Sequence, residues 1–160
     1  MLDIIIDNPR INTDERRGFS YSRDKSGIKL LSLALESKDI TPSSHPTAAD
    51  LCAGDGSWAR MLLDHGWDES NLTCIDSAKS PTPLVPGANW LYWDLEALST
   101  RLFLKKSLPE EILSKQHTFD IVFTLYTPLT RISEETMGIF LIRPGGYIFN
   151  HSHPLGKLIS

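Results

Sequence analysis

The sequence predicts an α/β protein: a mostly parallel sheet with helices packed against both of its faces. Two observations carry this expectation. Short apolar runs at 72–75, 89–95, 119–124 and 141–149 alternate with helix-forming stretches, and that alternation builds parallel strands joined by crossover helices. The segment Ala48 to Ala59 then reads as a strand ending in Asp50, a turn with Gly54 and Gly56, and a helix opening at Ser57. With 160 residues and 41% hydrophobic side chains, the chain is sized for one domain with a proper core. Within it, 1–46 reads as an N-terminal arm and helix and 47–160 as the α/β unit.

Each element has a local reason. Leu2 to Ile6 reads as a short strand or buried tail, ended by Asp7-Asn8-Pro9. Gly18 to Gly27 is polar and reads as irregular. Ile28 to Glu36 places Ile28, Leu31 and Leu35 on one helical face. Thr41 to Pro46 is a loop into the strand at Ala48. Ser57 is expected to cap a helix whose Trp58, Met61, Leu62 and His65 share a face, with Gly66 ending it. The run Leu72 to Ile75 ends at Asp76, and the proline-rich stretch Ser80 to Gly87 admits no regular structure. Leu95 to Lys105 reads as a helix, and Ser107-x-x-Glu110 with Pro109 in the first turn opens another. Ser133 is expected to open the helix that precedes Arg143-Pro144-Gly145.

Composition narrows the classes. No run approaches the ~20 apolar residues of a membrane-spanning helix, and Leu2 to Ile6 is too short for a signal peptide's apolar centre. Cys52 and Cys74 make no disulfide framework and lack metal-ligand spacing, so they read as free thiols of an intracellular, cytoplasmic protein with no bound metal. The net charge of −4 argues against a general nucleic-acid binder. From Pro9 to Leu30, however, six cations (Arg10, Arg16, Arg17, Arg23, Lys25 and Lys29) face three acids, a local arm that can meet phosphates.

The glycine turn carries the functional reading. A strand, a tight turn and a helix N-terminus form the place where α/β proteins hold nucleotide-like ligands. Side chains at Gly54 or Gly56 would hold a ligand off the backbone, and Asp76, at the end of the following strand, suits the two hydroxyls of a ribose. Gly54-x-Gly56-x-x-Ala59 with Asp76 also meets the loose dinucleotide fingerprint. Against a nicotinamide or flavin stand Asp50 within the strand end, Cys52 where a glycine would begin the fingerprint, and little room for a second mononucleotide half. A carboxylate at the strand end suits a cationic ligand better, met directly or through water.

On Asp50, Cys52, Gly54 and Gly56, the chain resembles the class I S-adenosylmethionine (SAM)-dependent methyltransferases, whose first motif is an acid followed by alternating small residues; glycine is usual where Cys52 stands. Asn89-Trp90-Leu91-Tyr92-Trp93-Asp94-Leu95, Phe119 to Thr124, and Leu141 to Phe149 with Arg143-Pro144-Gly145-Gly146 resemble later motifs in the right order. The resemblance implies a Rossmann-like doubly wound sheet of order 3-2-1-4-5, counted from the Ala48 strand, with the family's strands six and seven missing. It implies SAM as cofactor. Asp50 and the loop would hold the methionine portion, Asp76 the ribose and Asp94 the adenine amine, with Cys52, Ala53, Gly54, Gly56, Trp58, Ser77 and Leu95 also among the cofactor-binding residues. The open edge of the fifth strand is expected to be covered by Leu2 to Ile6, by another chain or homodimer partner, or by a continuation.

The layout is further similar to the FtsJ-like RNA 2′-O-methyltransferases, on Lys25 with Lys29-Leu30-Leu31, on Ser57-Trp58, and on the prolines of 81–87 and Pro128. RNA is therefore the expected acceptor, met through the Arg10–Lys29 arm. Lys29 matches the first catalytic position of that family, but Leu125 stands at its aspartate and His151 at its second lysine. Lys29, Tyr126 and His151 are the candidate catalytic residues. A ribose hydroxyl benefits from a positioned base, which leucine cannot supply; a ring nitrogen depends more on orientation. The alternatives are a catalytically degenerate domain acting as a binding or scaffold subunit, and a small-molecule methyltransferase.

Overall fold

The structure, a computed structural model, describes residues 3–6, 25–124 and 129–150, with side chains over 31–124 and 129–149. Six strands run in the order β1 (Asp3–Ile6), β6 (Ile142–Asn150), β5 (Phe119–Thr124), β2 (Ala48–Leu51), β3 (Leu72–Asp76) and β4 (Asn89–Tyr92). Every pairing is parallel. Counted from β2, the five strands of the expected unit take the order 3-2-1-4-5, with β1 added beyond the fifth. The Leu2–Ile6 alternative for that edge is the one observed, since Asp3 pairs with Tyr147 and Ile6 with Asn150.

Alternation along the strands sorts the core into two layers. Ala48, Cys74, Ile121, Phe123 and Phe149 face one side, with Leu31 and Ala34 of α1 (Lys25–Glu36) and Trp58 and Leu62 of α2 (Ser57–Asp64). Ala49, Leu51, Ile75, Val122 and Ile148 face the other. That side is closed by α3 (Leu95–Phe103), α4 (Glu110–Leu113) and α5 (Arg131–Leu141), through Leu95, Leu98, Ile112, Met137 and Phe140. Trp58, Phe123 and Phe149 stack in series at 5.8 and 5.5 Å between ring centroids. Buried side chains of this size contribute ~1.5 to 3 kcal/mol each, so the first layer anchors α2, the helix that opens the glycine turn.

The N-terminal strand ends are tied together at Asp120. Its Oδ2 accepts from the Thr47 amide at 2.9 Å and the Thr47 hydroxyl at 2.8 Å, and its Oδ1 accepts from Arg143 Nε. That one carboxylate joins β2, β5 and β6 at the end of the strands opposite the turn. Between the pairs Phe119↔Ile142 and Ile121↔Tyr147 the register shifts, and β6 bulges through Arg143 to Gly146. Gly146 has no room for a side chain there: a Cβ would lie 2.7 Å from Ile142 and 2.8 Å from the Asp120 carbonyl oxygen.

Four local expectations are corrected. The cap of α2 is Gly56, in the left-handed conformation, and Ser57 is the first helical residue. Thr130 rather than Ser133 caps α5, accepting from the Ser133 amide. The capping box at Ser107 does not form; α4 is capped by Pro109, and the Ser107 carbonyl accepts from Arg101 Nε. Within Gly18–Gly27, Lys25 to Gly27 are helical, and 18–24 lie outside the described residues.

Candidate functional site

The chain runs β2, β3, β4 toward one sheet edge, then returns through β5 and β6 toward the other, so the strand order reverses between the tips of β2 and β5. Crevices at such reversals are the ligand sites of open α/β sheets. The turn 52–56 leaves β2 at this point. Its Ala53 amide donates to the Ile75 carbonyl (3.1 Å), and its Gly54 amide donates to Asp76 Oδ2 (2.7 Å). Asp76 Oδ1 accepts from the Ala78 amide at 3.2 Å, which turns the chain after β3. Each oxygen keeps acceptor capacity beyond these bonds.

The two glycines do different work. Gly54 is exposed with φ +59°, and nothing lies within 4 Å of where its Cβ would stand, so the backbone there faces open space. Gly56, at φ +92°, packs down: a Cβ would meet the Trp90 ring at 3.4 Å and Cys74 Sγ at 3.6 Å. Cys52 also lies in the left-handed region (φ 56°), where a glycine is conformationally cheaper. A beneficial side-chain contact of Cys52 is its packing on the second core layer.

Asp50 is 2% exposed, and its Oδ2 accepts from the Ala59 amide at 3.3 Å. The carboxylate therefore sits against the start of α2, where a side-chain cap is missing, and meets the positive end of that helix. Burial nonetheless pushes its carboxyl up to about 8; the Ala59 and Trp58 amides pull it down, and Asp76 adds to the rise. Burial, followed by the charges of Asp76 and Asp50, drives both thiols far above the ordinary range, with Glu134 and Glu96 adding at Cys52. A thiol held protonated by burial in this way is a poor nucleophile, and both cysteines are free. Among the described residues, no group of His, Cys, Asp or Glu is arranged to hold a metal ion.

Asp94 caps α3, its Oδ1 accepting from the Glu96 (3.0 Å) and Ala97 (3.2 Å) amides. The tips of β2, β3 and β4 thus present Asp50, Asp76 and Asp94 in sequence along one end of the sheet. Ser77 is exposed beside Asp76. Ala53, Trp58 and Leu95 are buried; Trp58 stacks on Phe123, so its ring is part of the core and only its amide reaches the site. Lys29 falls within α1 with its side chain outside the described residues, as are Tyr126, His151, most of the Arg10–Lys29 arm, Leu125 and Pro128.

From sequence Asp55 reads as a solvent-facing loop residue that could also cap the following helix; the structure shows a different role for Asp55. Its Oδ1 accepts from Ser80 Oγ (2.7 Å) and its carbonyl accepts from the Leu84 amide (2.8 Å), so the proline-rich segment folds back onto the glycine turn. Trp90 Nε1 donates to the Val85 carbonyl at 3.0 Å, which anchors the same segment. Prolines in a sequence announce irregular backbone but not what it leans on. A cleft of about 430 Å³, lined by Trp93, Asp94, Leu98, Arg101, Leu108 and Pro109 among others, shares Asp94 with this site and none of the turn 52–56.

Topology and strand order together define a Rossmann-like, doubly wound α/β domain whose glycine turn and acid-tipped strands lie at one end of the sheet. Solved structures similar to it include the PH0226 protein of Pyrococcus horikoshii (12% identity, 84% of this chain and 59% of that one, TM-score 0.48). A SAM-dependent methyltransferase from Archaeoglobus fulgidus matches at 11% identity over 81% of this chain and 56% of that one, with TM-score 0.45. The 1,6-didemethyltoxoflavin-N1-methyltransferase of Burkholderia thailandensis, solved with S-adenosylhomocysteine, matches at 16% over 90% and 66%, with TM-score 0.47. This chain spans less than two thirds of the length of each. No family model and no curated protein matches the sequence.

Proposed function

We propose that this domain binds S-adenosylmethionine at the β2–β3–β4 tips and serves methyl transfer. The observation that carries the reading is the turn itself: Gly54 is left-handed and open to space, while its amide is held by Asp76. That places bare backbone beside a carboxylate with acceptor capacity to spare, as a ribose diol requires. Asp94, one strand further on, would accept from the adenine amine. Asp50 would act through charge: a cation lodged near the turn favours its ionised form, which in turn tightens the grip on the α2 amides. Bound, the cofactor supplies an electrophilic methyl group; the protein's own residues orient it and exclude water beneath it, where Gly56, Trp90 and Cys74 are packed.

For the acceptor, the reading is RNA, supported by the basic segment from Arg10 to Lys29 and the spacing of Lys25 and Lys29. Isothermal titration with SAM and S-adenosylhomocysteine tests the cofactor; micromolar binding is expected, and no heat at a hundredfold higher concentration would overturn it. Transfer of tritiated methyl groups to RNA, with protein and metabolite pools as controls, tests the acceptor: label in either control and none in RNA would reassign it.

A further inference from the structure

We propose that Glu96 is a positioning residue that couples the nucleoside end of the crevice, at Asp94, to the start of α5 on the far side of the strand reversal. The inference deepens the SAM reading and rests on it. Asp94 Oδ1 accepts from the Glu96 amide, so the backbone of Glu96 is set by the carboxylate expected to meet the adenine. The side chain of Glu96 then reaches across to α5. Its Oε1 accepts from the Thr130 amide at 3.2 Å, and its Oε2 accepts from the Thr130 hydroxyl at 3.1 Å and from the Ser133 hydroxyl. Thr130 is itself the cap of α5, accepting from the Ser133 amide at 3.2 Å. One carboxylate therefore takes three hydrogen bonds from the first turn of another helix.

Charge and topology favour the arrangement. A carboxylate beside a helix N-terminus meets the positive end of its dipole, and the Ser133 and Thr130 bonds hold Glu96 below the usual carboxylate range. The helix it grips follows β5, whose tip faces that of β2 across the reversal. An acceptor approaching the methyl group from the β5 side would pass the start of α5. A ligand amine drawing on Asp94 shifts the first turn of α3, and Glu96 carries that shift to Thr130 and Ser133. Coupling of this kind is demonstrated by a response at one site to occupancy of the other.

The test is hydrogen exchange of residues 129–136 with and without saturating S-adenosylhomocysteine, in the wild type, Glu96→Ala and Glu96→Gln, with calorimetry on the same samples. In the wild type the ligand is expected to slow exchange of this segment roughly tenfold, an ordinary coupling strength. Glu96→Ala is expected to bind the ligand yet lose that response, and Glu96→Gln, whose amide oxygen still accepts, to recover part of it. A role limited to stability would speed exchange equally in the free and bound states and leave the ligand-induced ratio intact; that result overturns the coupling. So does binding to the wild type with no change at 129–136. Absence of binding heat overturns the cofactor reading, and the coupling with it.

Discussion

Replacing Asp50 by Asn should stabilise the ligand-free protein at mildly alkaline pH and remove most of its pH dependence below that. Asp50 is 2% exposed, and burial raises its carboxyl from 3.8 to about 8 despite the amides of Ala59 and Trp58. In the unfolded chain the proton leaves near the ordinary aspartate value, whereas the folded protein keeps it until about pH 8. Between those limits the folded state holds the extra proton, so stability falls as pH rises through the window and the loss is complete above it. At ~1.4 kcal/mol per pH unit, the whole window amounts to roughly 6 kcal/mol, an order-of-magnitude figure. Asparagine has the same shape and its carbonyl oxygen still accepts from Ala59, but it cannot ionise. Urea unfolding at three pH values across the window reads the difference directly. The wild type should lose several kcal/mol toward the alkaline end while Asp50→Asn stays nearly level. Other titrating groups act in both proteins and cancel. Parallel slopes would refute the reasoning, since they would mean that the carboxylate is solvated or paired in the folded state.

Three other substitutions probe the frame. Asp76→Ala should weaken SAM binding by ~1 to 3 kcal/mol in calorimetric titration, as hydrogen bonds to a charged group are lost; an unchanged affinity would remove the ribose assignment. Gly56→Ala forces a side chain into a left-handed backbone 3.4 Å from the Trp90 ring. It should cost roughly 1 to 2 kcal/mol of stability in denaturant unfolding. Asp120→Ala leaves the Thr47 amide and Arg143 without their shared acceptor. It should lower stability by about 2 kcal/mol with little change in SAM affinity, because the strand ends it joins lie away from the crevice.

The strands that carry the site were legible because their residues obey one rule apiece. Phe119 to Thr124 and Leu72 to Ile75 are buried, and apart from Asp120, held by Thr47 and Arg143, their side chains are apolar, β-branched or small. Helix starts were less legible, since a cap need not come from the nearest polar side chain. At α2 the strand carboxylate of Asp50 meets the helix amides from nine residues upstream of Ala59, which leaves Gly56 free to take the turn. At α5 Thr130 is the cap, and Glu96, from another helix, holds its hydroxyl together with that of Ser133. The Asp120 clasp was invisible for the same reason: its partners Thr47 and Arg143 are distant in sequence and adjacent only once β2, β5 and β6 align. The acid-tipped strands and glycine turn could be read locally; what holds them in place is long-range.

The pairing of Asp3 with Tyr147 has a consequence for biogenesis. The outermost strand is synthesised ahead of every other described strand, yet its partner β6 follows all the described helices and remaining strands. Until then its backbone groups have no ladder to join, and closing a chain of this span costs roughly 4 kcal/mol in entropy if nothing else has formed. Docking of that strand is therefore expected after the β2–β5 scaffold has condensed. A substitution that blocks this pairing should leave the glycine turn intact while exposing the flank of β6 to other chains.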